Sequence, residues 1–549
     1  MFKSYLNQKD FLITNDWRAE KPEKNLENKY IIYGHCFTDD GILKNRYISK
    51  TEFDYIKRNH WKLSGLFVCI GLQDGIIDVL IDPLVQYPVF YVEQNGIFAL
   101  SNKLSNLSKL YYDKYNIDYL FDSLIYEAPL RGMTPVKSVK MLQFDNLQIG
   151  SQFQNSRPGL TIHKTNILSR KDLDYSEALE TLADNIKKRA KIISESFEYI
   201  ECQLSGGLDC RIVAAAFKNY DNIFYYSFGL DSQDRLCFED LADKFGLRKT
   251  SKIRFFGSGI RNAAYRIKMI DDLNGIKLHT YGGYMNYDEP IDIKGCKLSG
   301  YFGEYIGHKL PSAYISPEDG SIIKFPHIDA LPERAYKVAN EYSMPFWTYN
   351  LECGRYKTSK RAVNQLFYLN NRGPSHFGMH SAADNVHDSS FNILYDPVAI
   401  TVSEQSPYSD LENKEGATCV DLICSIAGLD FGLFPYEGRR IPRYREFDWV
   451  PEINCFDGYS FSARKVEQIQ REHSIAPDLS HWDALGDSDK TSTSAEILNN
   501  KLFDTFFRDF PELAYLRNLQ FTWPYRQHQE ILCNFLLADY FYSGAWSHT

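Results

Sequence analysis

The hydrophobic pattern of the first 165 residues is that of β-strands separated by turns. Short apolar runs rich in β-branched and aromatic residues alternate with Gly, Asn and Asp. Four such runs are predicted to form strands: 29–34, 65–72, 76–82 and 88–102. The last run contains Asn95-Gly96 between two apolar stretches, which is a strong hairpin signal. Helical patterns near 51–58 and 117–126 complete a half that we expect to be rich in strands.

A long helical pattern at 174–196 marks a change in architecture. Four apolar residues recur at the spacing of one helix face: Leu179, Leu182, Ile186 and Ile193. Ser176 is the predicted N-cap, because its hydroxyl can accept a hydrogen bond from an amide of the first turn. We place a domain boundary within 163–174, which predicts one domain over residues 1–165 and a second over 170–549.

Strand and helix patterns alternate after this boundary. The predicted strands are 199–204, 222–230 and 252–256, and the predicted helices are 211–220 and 237–247. Alternation at this spacing indicates a parallel sheet whose crossover connections are helices. Beyond residue 330 the pattern is mainly helical and irregular, with a polar loop predicted at 483–496. The expected fold class is therefore α/β combined with α+β.

The composition is that of a soluble globular protein, with 44% apolar and 24% charged residues in a chain of 549. A net charge of −9 argues against bulk binding of nucleic acid. The chain has no apolar run of about 18 residues and its start lacks the apolar core of a signal peptide, so we expect no membrane span. The 11 scattered cysteines include no C-x-x-C pair, which argues against a zinc ribbon and favours a cytoplasmic setting.

The stretch Leu-Ser-Gly-Gly-Leu-Asp-Cys at 204–210 lies between a predicted strand and a predicted helix. Glycines there let backbone N–H groups approach an anion, and a helix N-terminus adds donors and partial positive charge. Asp209 could hold a magnesium ion that bridges phosphates, because hard cations prefer carboxylate oxygens. An ordinary glycine-rich turn is the alternative, but Ser-Gly-Gly-x-Asp at a strand–helix junction is far more specific than a bare Gly-Gly.

These residues resemble the pyrophosphate loop of the N-type ATP pyrophosphatases, and in particular that of the asparagine synthetase family. Three further stretches resemble the same family. They are its second strand and helix at 225–247, its second signature at 296–309, and the preceding glutaminase-type domain at 63–107. The resemblance covers most of residues 60–310, and 370–397 match only diffusely.

The resemblance implies an N-terminal degenerate glutaminase-like β-sandwich of the Ntn type, followed by a parallel-sheet PP-loop synthetase domain with a helical C-terminal part. It also implies two sets of binding residues. The set for ATP is Leu204, Ser205, Gly206, Gly207, Asp209, Cys210, Phe228, Ser299 and Gly300. The set for Mg²⁺ is Asp209 and Glu304.

The first departure from the family concerns the nitrogen source. Family members that hydrolyse glutamine have a cysteine directly after the initiator methionine, whose freed amine acts as base for its own thiol. Residue 2 of this chain is Phe2, and the nearest cysteine, Cys36, cannot supply that amine. We therefore expect a first domain without glutaminase activity.

Two other departures lie in the signatures themselves. In the second signature the family's glutamate is replaced by Tyr301 and its aspartate by Glu304, which can still bind magnesium. Tyr301 is a candidate catalytic residue because a phenol beside an amine can move a proton; the alternative is a tyrosine that packs at the pocket wall. Cys210 replaces the usual serine and is either a near-isosteric serine substitute or a thiol of lowered pKa used in sulfur chemistry.

Two further segments carry groups capable of binding a ligand. Four residues have a spacing that permits metal binding: His376, His380, Asp384 and His387. Gly378 and Pro374 disfavour a regular helix there, so a polar loop is the alternative. Arg372 could hold a carboxylate or phosphate through two hydrogen bonds. The four arginines of 438–445 form either a solvated basic surface or a pocket for an anion.

The resemblance implies an enzyme that activates a carboxylate with ATP. The carboxylate attacks the α-phosphate to give an acyl-adenylate and pyrophosphate, and a nitrogen nucleophile then forms an amide and releases AMP. We expect free ammonia or a substrate amine as the donor, and a small-molecule or peptide carboxylate as the acceptor. No nucleic acid or membrane partner is expected, and a homodimer or a pathway partner protein is left open.

Three alternatives remain open at this point. An amine within the same substrate would give a lactam or macrolactam, as in the β-lactam synthetases and lasso-peptide cyclases. A sugar carboxylate could be amidated in polysaccharide assembly. A degenerate protein could bind nucleotide without turnover, although retention of Ser205, Gly206, Gly207 and Asp209 argues against that.

Overall fold

The structure is a computed structural model, and two of the predicted features, at 252–256 and 483–496, lie outside the residues it describes. It describes residues 3–8, 10–16, 29–39, 41–126, 129–143, 156–157, 159–163, 172–227, 233–250, 295–307, 368–379, 381–382, 390–408, 416–436, 501–511, 513–514 and 538.

Two sheets form the N-terminal part of the chain. Their strands are β1 (Lys3–Leu6), β2 (Phe11–Thr14), β3 (Lys29–Phe37), β4 (Ile42–Tyr47), β5 (Ser64–Gln73), β6 (Ile76–Ile81), β7 (Phe90–Gln94), β8 (Ile97–Ser101), β9 (Lys140–Met141), β10 (Ser156–Arg157) and β11 (Leu160–His163). One sheet has the order β1-β2-β8-β7-β9 and the other the order β10-β11-β6-β5-β3-β4. Adjacent strands are antiparallel except for β6 and β11. The four predicted apolar runs are therefore confirmed as strands.

The predicted hairpin and the two predicted helices are also confirmed. Asn95 and Gly96 connect β7 to β8 with φ angles of 51° and 75°, the left-handed conformation that this turn requires. The helices are α1 (Lys50–Asn59), α2 (Leu104–Tyr111) and α3 (Ile117–Tyr126). Helix α1 buries Phe53 and Ile56 against one face of the second sheet, while residues of both sheets share a hydrophobic core on the other. Both faces of the second sheet are thus covered.

His60, in a short 3₁₀ turn after α1, is a buried titratable group in this core. Burial lowers its pKa to about 4, since desolvation penalises the imidazolium, and Nε2 lies against the carbonyl oxygen of Ile81. An unfolded chain binds this proton near pH 6.5. The contribution of His60 to stability is therefore complete above pH 6.5 and is lost as the pH falls toward 4.

We expect His60→Gln to flatten the pH dependence of folding between pH 6.5 and 4. Glutamine can still donate to Ile81 but does not titrate. The wild-type protein should lose about 2–3 kcal/mol more than the variant across this range. Urea denaturation at a series of pH values gives the difference in free energy of unfolding between the two proteins. The titration of carboxylates contributes equally to both proteins and cancels in this difference. Equal slopes in the two proteins would contradict the prediction.

The second part of the chain is built on a parallel sheet, as predicted. Its strands are β12 (Tyr199–Gln203), β13 (Ile223–Tyr226), β14 (Gly295–Ser299) and β15 (Ser390–Asn392), in the order β13-β12-β14-β15. The surrounding helices are α4 (Tyr175–Ser196), α5 (Leu208–Phe217), α6 (Gln233–Phe245), α7 (Gly303–Gly307), α8 (Val398–Gln405), α9 (Ala417–Ala427), α10 (Leu429–Gly432) and α11 (Lys501–Asp509), with a π-helical segment at Tyr368–Gly378. No helix among the described residues has the length and apolar character needed to cross a membrane.

Helix α4 confirms the predicted apolar face, but its N-cap prediction was wrong. All four apolar residues of that face are buried. The N-cap is Asp174 rather than Ser176. The Asp174 carboxylate accepts from the Glu177 amide at 2.9 Å, and the Glu177 carboxylate accepts from the Asp174 amide at 3.1 Å. This reciprocal pair satisfies two backbone donors at once, which a cap at Ser176 would not.

Helix α4 also carries one side of a buried ion pair to which Ser64 of the N-terminal part is hydrogen-bonded. Arg189 Nη1 donates to Asp396 Oδ2 at 2.6 Å, and the two side chains are only 5% and 1% exposed. Ser64, at the start of β5, donates to the same oxygen at 3.1 Å, as does Asn185. The amide of Gly65 donates to the carbonyl of Tyr395 at 3.0 Å. The domain boundary itself stays a prediction.

Candidate functional site

The order of the parallel strands places one crevice in the sheet. The chain leaves β12 through α5 to β13 on one side, whereas β14 lies on the other side of β12. Where the loops after two adjacent strands leave in opposite directions, a crevice opens at the carboxyl ends of those strands. Open α/β sheets bind their ligands in such a crevice. The residues that follow β12 are 204–207 and those that follow β14 are 300–302, so the two predicted signatures meet there.

The first loop is held by a hydrogen bond within itself and another to the end of β13. The amide of Gly207 donates to Ser205 Oγ at 3.1 Å, and the amide of Leu204 donates to the carbonyl of Tyr226 at 2.8 Å. Helix α5 begins at Leu208, and no side chain caps its N-terminus. The first-turn amides therefore point toward the crevice without a side-chain acceptor at the cap, an arrangement suited to an anion.

Cys210 serves as an internal hydrogen-bond partner of this loop. Its Sγ accepts from the Ser205 amide at 3.1 Å and lies 3.1 Å from Ser205 Oγ. Burial raises the pKa of the Cys210 thiol, and hydrogen bonds from Ser205 only partly oppose that effect. The thiol is thus held neutral rather than activated, which favours the serine-substitute interpretation over sulfur chemistry.

We expect Cys210→Ser to preserve the loop and Cys210→Ala to destabilise it. The alanine variant leaves the Ser205 amide without its acceptor, which costs about 1–3 kcal/mol. The serine variant keeps an acceptor at the same position and should stay within about 1 kcal/mol of the wild type. Denaturant unfolding measures both. If serine costs as much as alanine, the sulfur's hydrogen bonds are not what holds the loop.

The second loop packs directly on the first. A Cβ placed on Gly300 would lie 2.8 Å from the carbonyl carbon of Asp209, and one on Gly303 would lie 2.6 Å from the Asp209 side chain. Only glycine allows approaches this close. Asp209 therefore lies against the turn that carries the second signature, and the two stretches form one site.

Between these glycines, Phe302 has a strained backbone. Its φ angle is 82°, a region that aromatic residues rarely adopt, and its side chain is fully buried. The ring stacks on Tyr305 at 4.8 Å and contacts Tyr395 at 5.3 Å between centroids. An aromatic cluster thus holds a conformation that costs about 1–3 kcal/mol, a form of strain that is concentrated at functional sites.

Tyr301 and Glu304 both contact the π-helical segment. The Tyr301 ring stacks on Phe377 at 4.9 Å, and its carbonyl accepts from Asn392 Nδ2 at 2.7 Å. The Arg372 guanidinium pairs with Glu304, with 3.4 Å between Nε and Oε2. Arg372 is thus buried and bound to a protein carboxylate, and its predicted role in holding a substrate anion stays untested. This geometry favours the packing alternative for Tyr301, and its catalytic role stays a prediction.

The N-terminal part of the chain supports this segment. Gln86 Nε2 donates to the carbonyl of Leu369 at 3.1 Å, and Gln143 Nε2 donates to that of Asn370 at 3.0 Å. A Cβ on Gly378 would lie 2.0 Å from the backbone oxygen of Gln86, so the two backbones are too close for any side chain at position 378. The domain expected to lack its own chemistry therefore fixes the segment that presents Arg372 to Glu304.

The carboxylates fit a magnesium ion held partly by phosphates. No group of three or more His, Cys, Asp or Glu gathers as a metal site in the part of the chain that the structure describes. Magnesium bound with nucleotides needs only one or two carboxylates, since phosphate oxygens and waters complete its shell. Asp209 and Glu304 lie in the first turns of α5 and α7, which follow the adjacent strands β12 and β14, and Arg372 offsets part of the charge of Glu304.

Several sequence-based assignments fall beyond the described residues: Phe228, His380, Asp384, His387 and 438–445. Ser299 is the last residue of β14, and its role in binding ATP stays a prediction. Sequence reasoning missed Gln86, Gln143 and Asn392, which support the site by contacts that no local pattern signals.

Comparison with protein-family models gives no match for this chain, and comparison with curated proteins gives none either.

Proposed function

We propose that the protein is an ATP-dependent, AMP-forming carbon–nitrogen ligase of the asparagine synthetase type. One observation carries the proposal: the two stretches that resemble that family's signatures meet at the carboxyl edge of a parallel sheet. They do so at the point where strand order reverses, with Gly300 and Gly303 packed on Asp209. If the two stretches resembled the family only by chance, there would be no reason for them to be in contact in the folded chain.

In this proposal the loop 204–207 and the first turn of α5 bind the phosphates of ATP. Their amides are fixed before the nucleotide arrives, so they stabilise charge on the leaving pyrophosphate without rearranging. Asp209 and Glu304 would hold a magnesium ion that neutralises the phosphate charge. The substrate carboxylate attacks the α-phosphate, and the acyl-adenylate is then attacked by a nitrogen nucleophile to release AMP.

The nitrogen donor in this proposal is ammonia or a substrate amine. The described cysteines of the N-terminal sheets, Cys36 and Cys69, are both buried, and burial raises the pKa of each thiol. A thiol held neutral in an apolar core is a poor nucleophile toward glutamine. Glutamine should therefore support no more product than an equal concentration of an amide that cannot be hydrolysed, and release of glutamate from glutamine would overturn this part of the proposal.

Pyrophosphate exchange tests the adenylation step directly. Labelled pyrophosphate should enter ATP only when a suitable carboxylate from a panel of amino acids, sugar acids and peptides is present. Asp209→Asn should reduce exchange about 100-fold or more, because it removes charge that supports the metal-bound phosphates. Asp184→Asn, an exposed carboxylate on α4, is the matched control and should leave exchange unchanged. Nucleotide binding without exchange for any carboxylate, and without an effect of Asp209→Asn, would instead indicate a binding protein.

A further inference from the structure

A second cavity lies between the N-terminal sheets and helix α4. It has a volume of about 310 Å³, enough for a small organic molecule. One wall comes from the end of β3, from Tyr55 of α1 and from the turn containing Trp61 and Lys62. The opposite wall comes from α4, with Lys188 and Arg189, and from the start of α8. None of its lining residues belongs to loop 204–207 or to loop 300–304, so it is separate from the site described above.

The charged side chains that line this cavity are mostly cationic. They are Lys62, Lys188 and Arg189, against one carboxylate, Asp39. Lys188 donates to Asp39 at 2.8 Å. That hydrogen bond is the main cause of the lowered pKa of Asp39, and Lys62 adds to it through its charge. Asp396 pairs with Arg189, so within the described residues one positive charge, that of Lys62, has no ion-pair partner.

Arg189 adds further positive potential at the base of the cavity. Its Nη1 is bound to Asp396 and Ser64, whereas Nε and Nη2 have no hydrogen-bond partner among the described residues. Both atoms are buried. Buried donors without acceptors cost about 1–3 kcal/mol each, and a nearby anion lowers that cost through its charge.

The remaining lining is apolar and aromatic. Phe37, Tyr55 and Ile192 form part of the walls, and Trp61 stands at the cavity with 55% of its surface exposed. An exposed tryptophan beside unbalanced positive charge is an unusual surface for a soluble protein and suits a ligand with an apolar body and an anionic end.

We propose that this cavity binds a small organic carboxylate with an aromatic or branched apolar body. Its carboxylate lies between the ammonium groups of Lys62 and Lys188, above the guanidinium of Arg189, and its apolar body packs against Trp61 and Phe37. A single unbalanced positive charge matches a monoanion rather than a phosphate dianion. The site is independent of the proposed ligase reaction.

Calorimetric titration of the full chain with 3-phenylpropionate tests this inference. We expect a dissociation constant of about 0.1–10 mM, and binding of the neutral 3-phenylpropanamide at least about fivefold weaker. Lys62→Gln and Lys188→Gln should each weaken carboxylate binding about two- to fivefold, the range for partly exposed ion pairs, with little effect on the amide. Lys187→Gln is the control, since Lys187 adjoins Lys188 on α4 but pairs with Asp184 outside the cavity.

Three results would overturn the inference. Equal affinities for 3-phenylpropionate and 3-phenylpropanamide would show that the ligand's charge does not contribute to binding. Unchanged binding in both lysine variants would place the ligand elsewhere on the chain. No binding of 3-phenylpropionate up to about 10 mM would exclude the ligand class for which the cavity is argued. Each variant alters only an exposed side chain, so its thermal unfolding temperature should match that of the wild type. A match establishes that a loss of binding is not a loss of fold.

Discussion

Gly300→Ala is expected to lower the pyrophosphate exchange proposed for the candidate site about 100-fold. The added methyl group would lie 2.8–2.9 Å from the carbonyl carbon and oxygen of Asp209 and from the amide nitrogen of Cys210. These are backbone atoms at the start of α5, so no side chain can rotate away to relieve the contact. The second loop must move instead, and displacements approaching 1 Å in a preorganised site cost about 100-fold in rate. The same overpacking should cost about 1–3 kcal/mol of stability.

Pyrophosphate exchange and denaturant unfolding, measured on the same preparations, separate these two effects. Gly41→Ala is the matched control, because a Cβ at Gly41 meets no atom within 4 Å. Gly303→Ala is a second test of the same contact, since its methyl group would lie 2.6 Å from Asp209 Cβ, which is fixed to the backbone and cannot rotate away. We expect it to lose both stability and activity, as Gly300→Ala does. A Gly300→Ala protein as active and as stable as the control would show that the two loops are not packed in this way.

Asp396→Ala is expected to give the largest loss of stability, about 3–5 kcal/mol. The substitution leaves the Arg189 guanidinium buried without its carboxylate and also removes an acceptor for Ser64 and Asn185. Asp396 Oδ1 further accepts from the amide of Val398 at the start of α8, at 2.8 Å. Asp396→Asn keeps an acceptor for that amide and most of the side-chain volume, so it should lose less stability than Asp396→Ala.

A double variant provides the decisive control for this pair. Arg189→Met combined with Asp396→Asn removes both charges, and it should regain part of the stability that Asp396→Asn loses. The exposed pair of Arg248 and Asp221, with side chains 55% and 96% exposed, provides the comparison. Asp221→Ala should change stability little, because solvent screens exposed charges. Similar losses for Asp221→Ala and Asp396→Ala would show that burial does not set the strength of the pair.

Local patterns predicted the elements of this fold well. The strand and helix on either side of loop 204–210 were anticipated because their apolar periodicity is strong and the glycines mark the junction. The turn at Asn95-Gly96 was anticipated because its residue types suit one backbone conformation. The prediction of Ser176 as the N-cap of α4 was wrong because the helix begins two residues earlier than that cap implies, where Asp174 and Glu177 make their reciprocal contact.

Contacts between distant segments could not be predicted from the sequence. Arg189 stands in a run of basic residues that looks like an exposed helix face, yet it is buried against a carboxylate 207 positions away. Gln86 bonds to a carbonyl 283 positions away, and nothing in its neighbourhood indicates that. The pairing of Arg372 with Glu304 depends on an irregular helical segment whose course no periodicity reveals. Such contacts follow from the three-dimensional arrangement of elements, which single-sequence periodicity does not encode.

The contacts of Ser64 and Gly65 with residues 395–396 have a consequence for synthesis of the protein on the ribosome. The N-terminal sheets are complete in sequence at His163, but Arg189 and Ser64 lack their carboxylate until Asp396 has been made. At typical elongation rates of about 5–20 residues per second, that interval is on the order of 10–50 s. During this time an unpaired guanidinium and uncovered polar groups remain near the start of β5. Full closure of the N-terminal part is therefore a late event, and truncation of the chain before Asp396 should yield a nascent product that is readily cleaved by proteases.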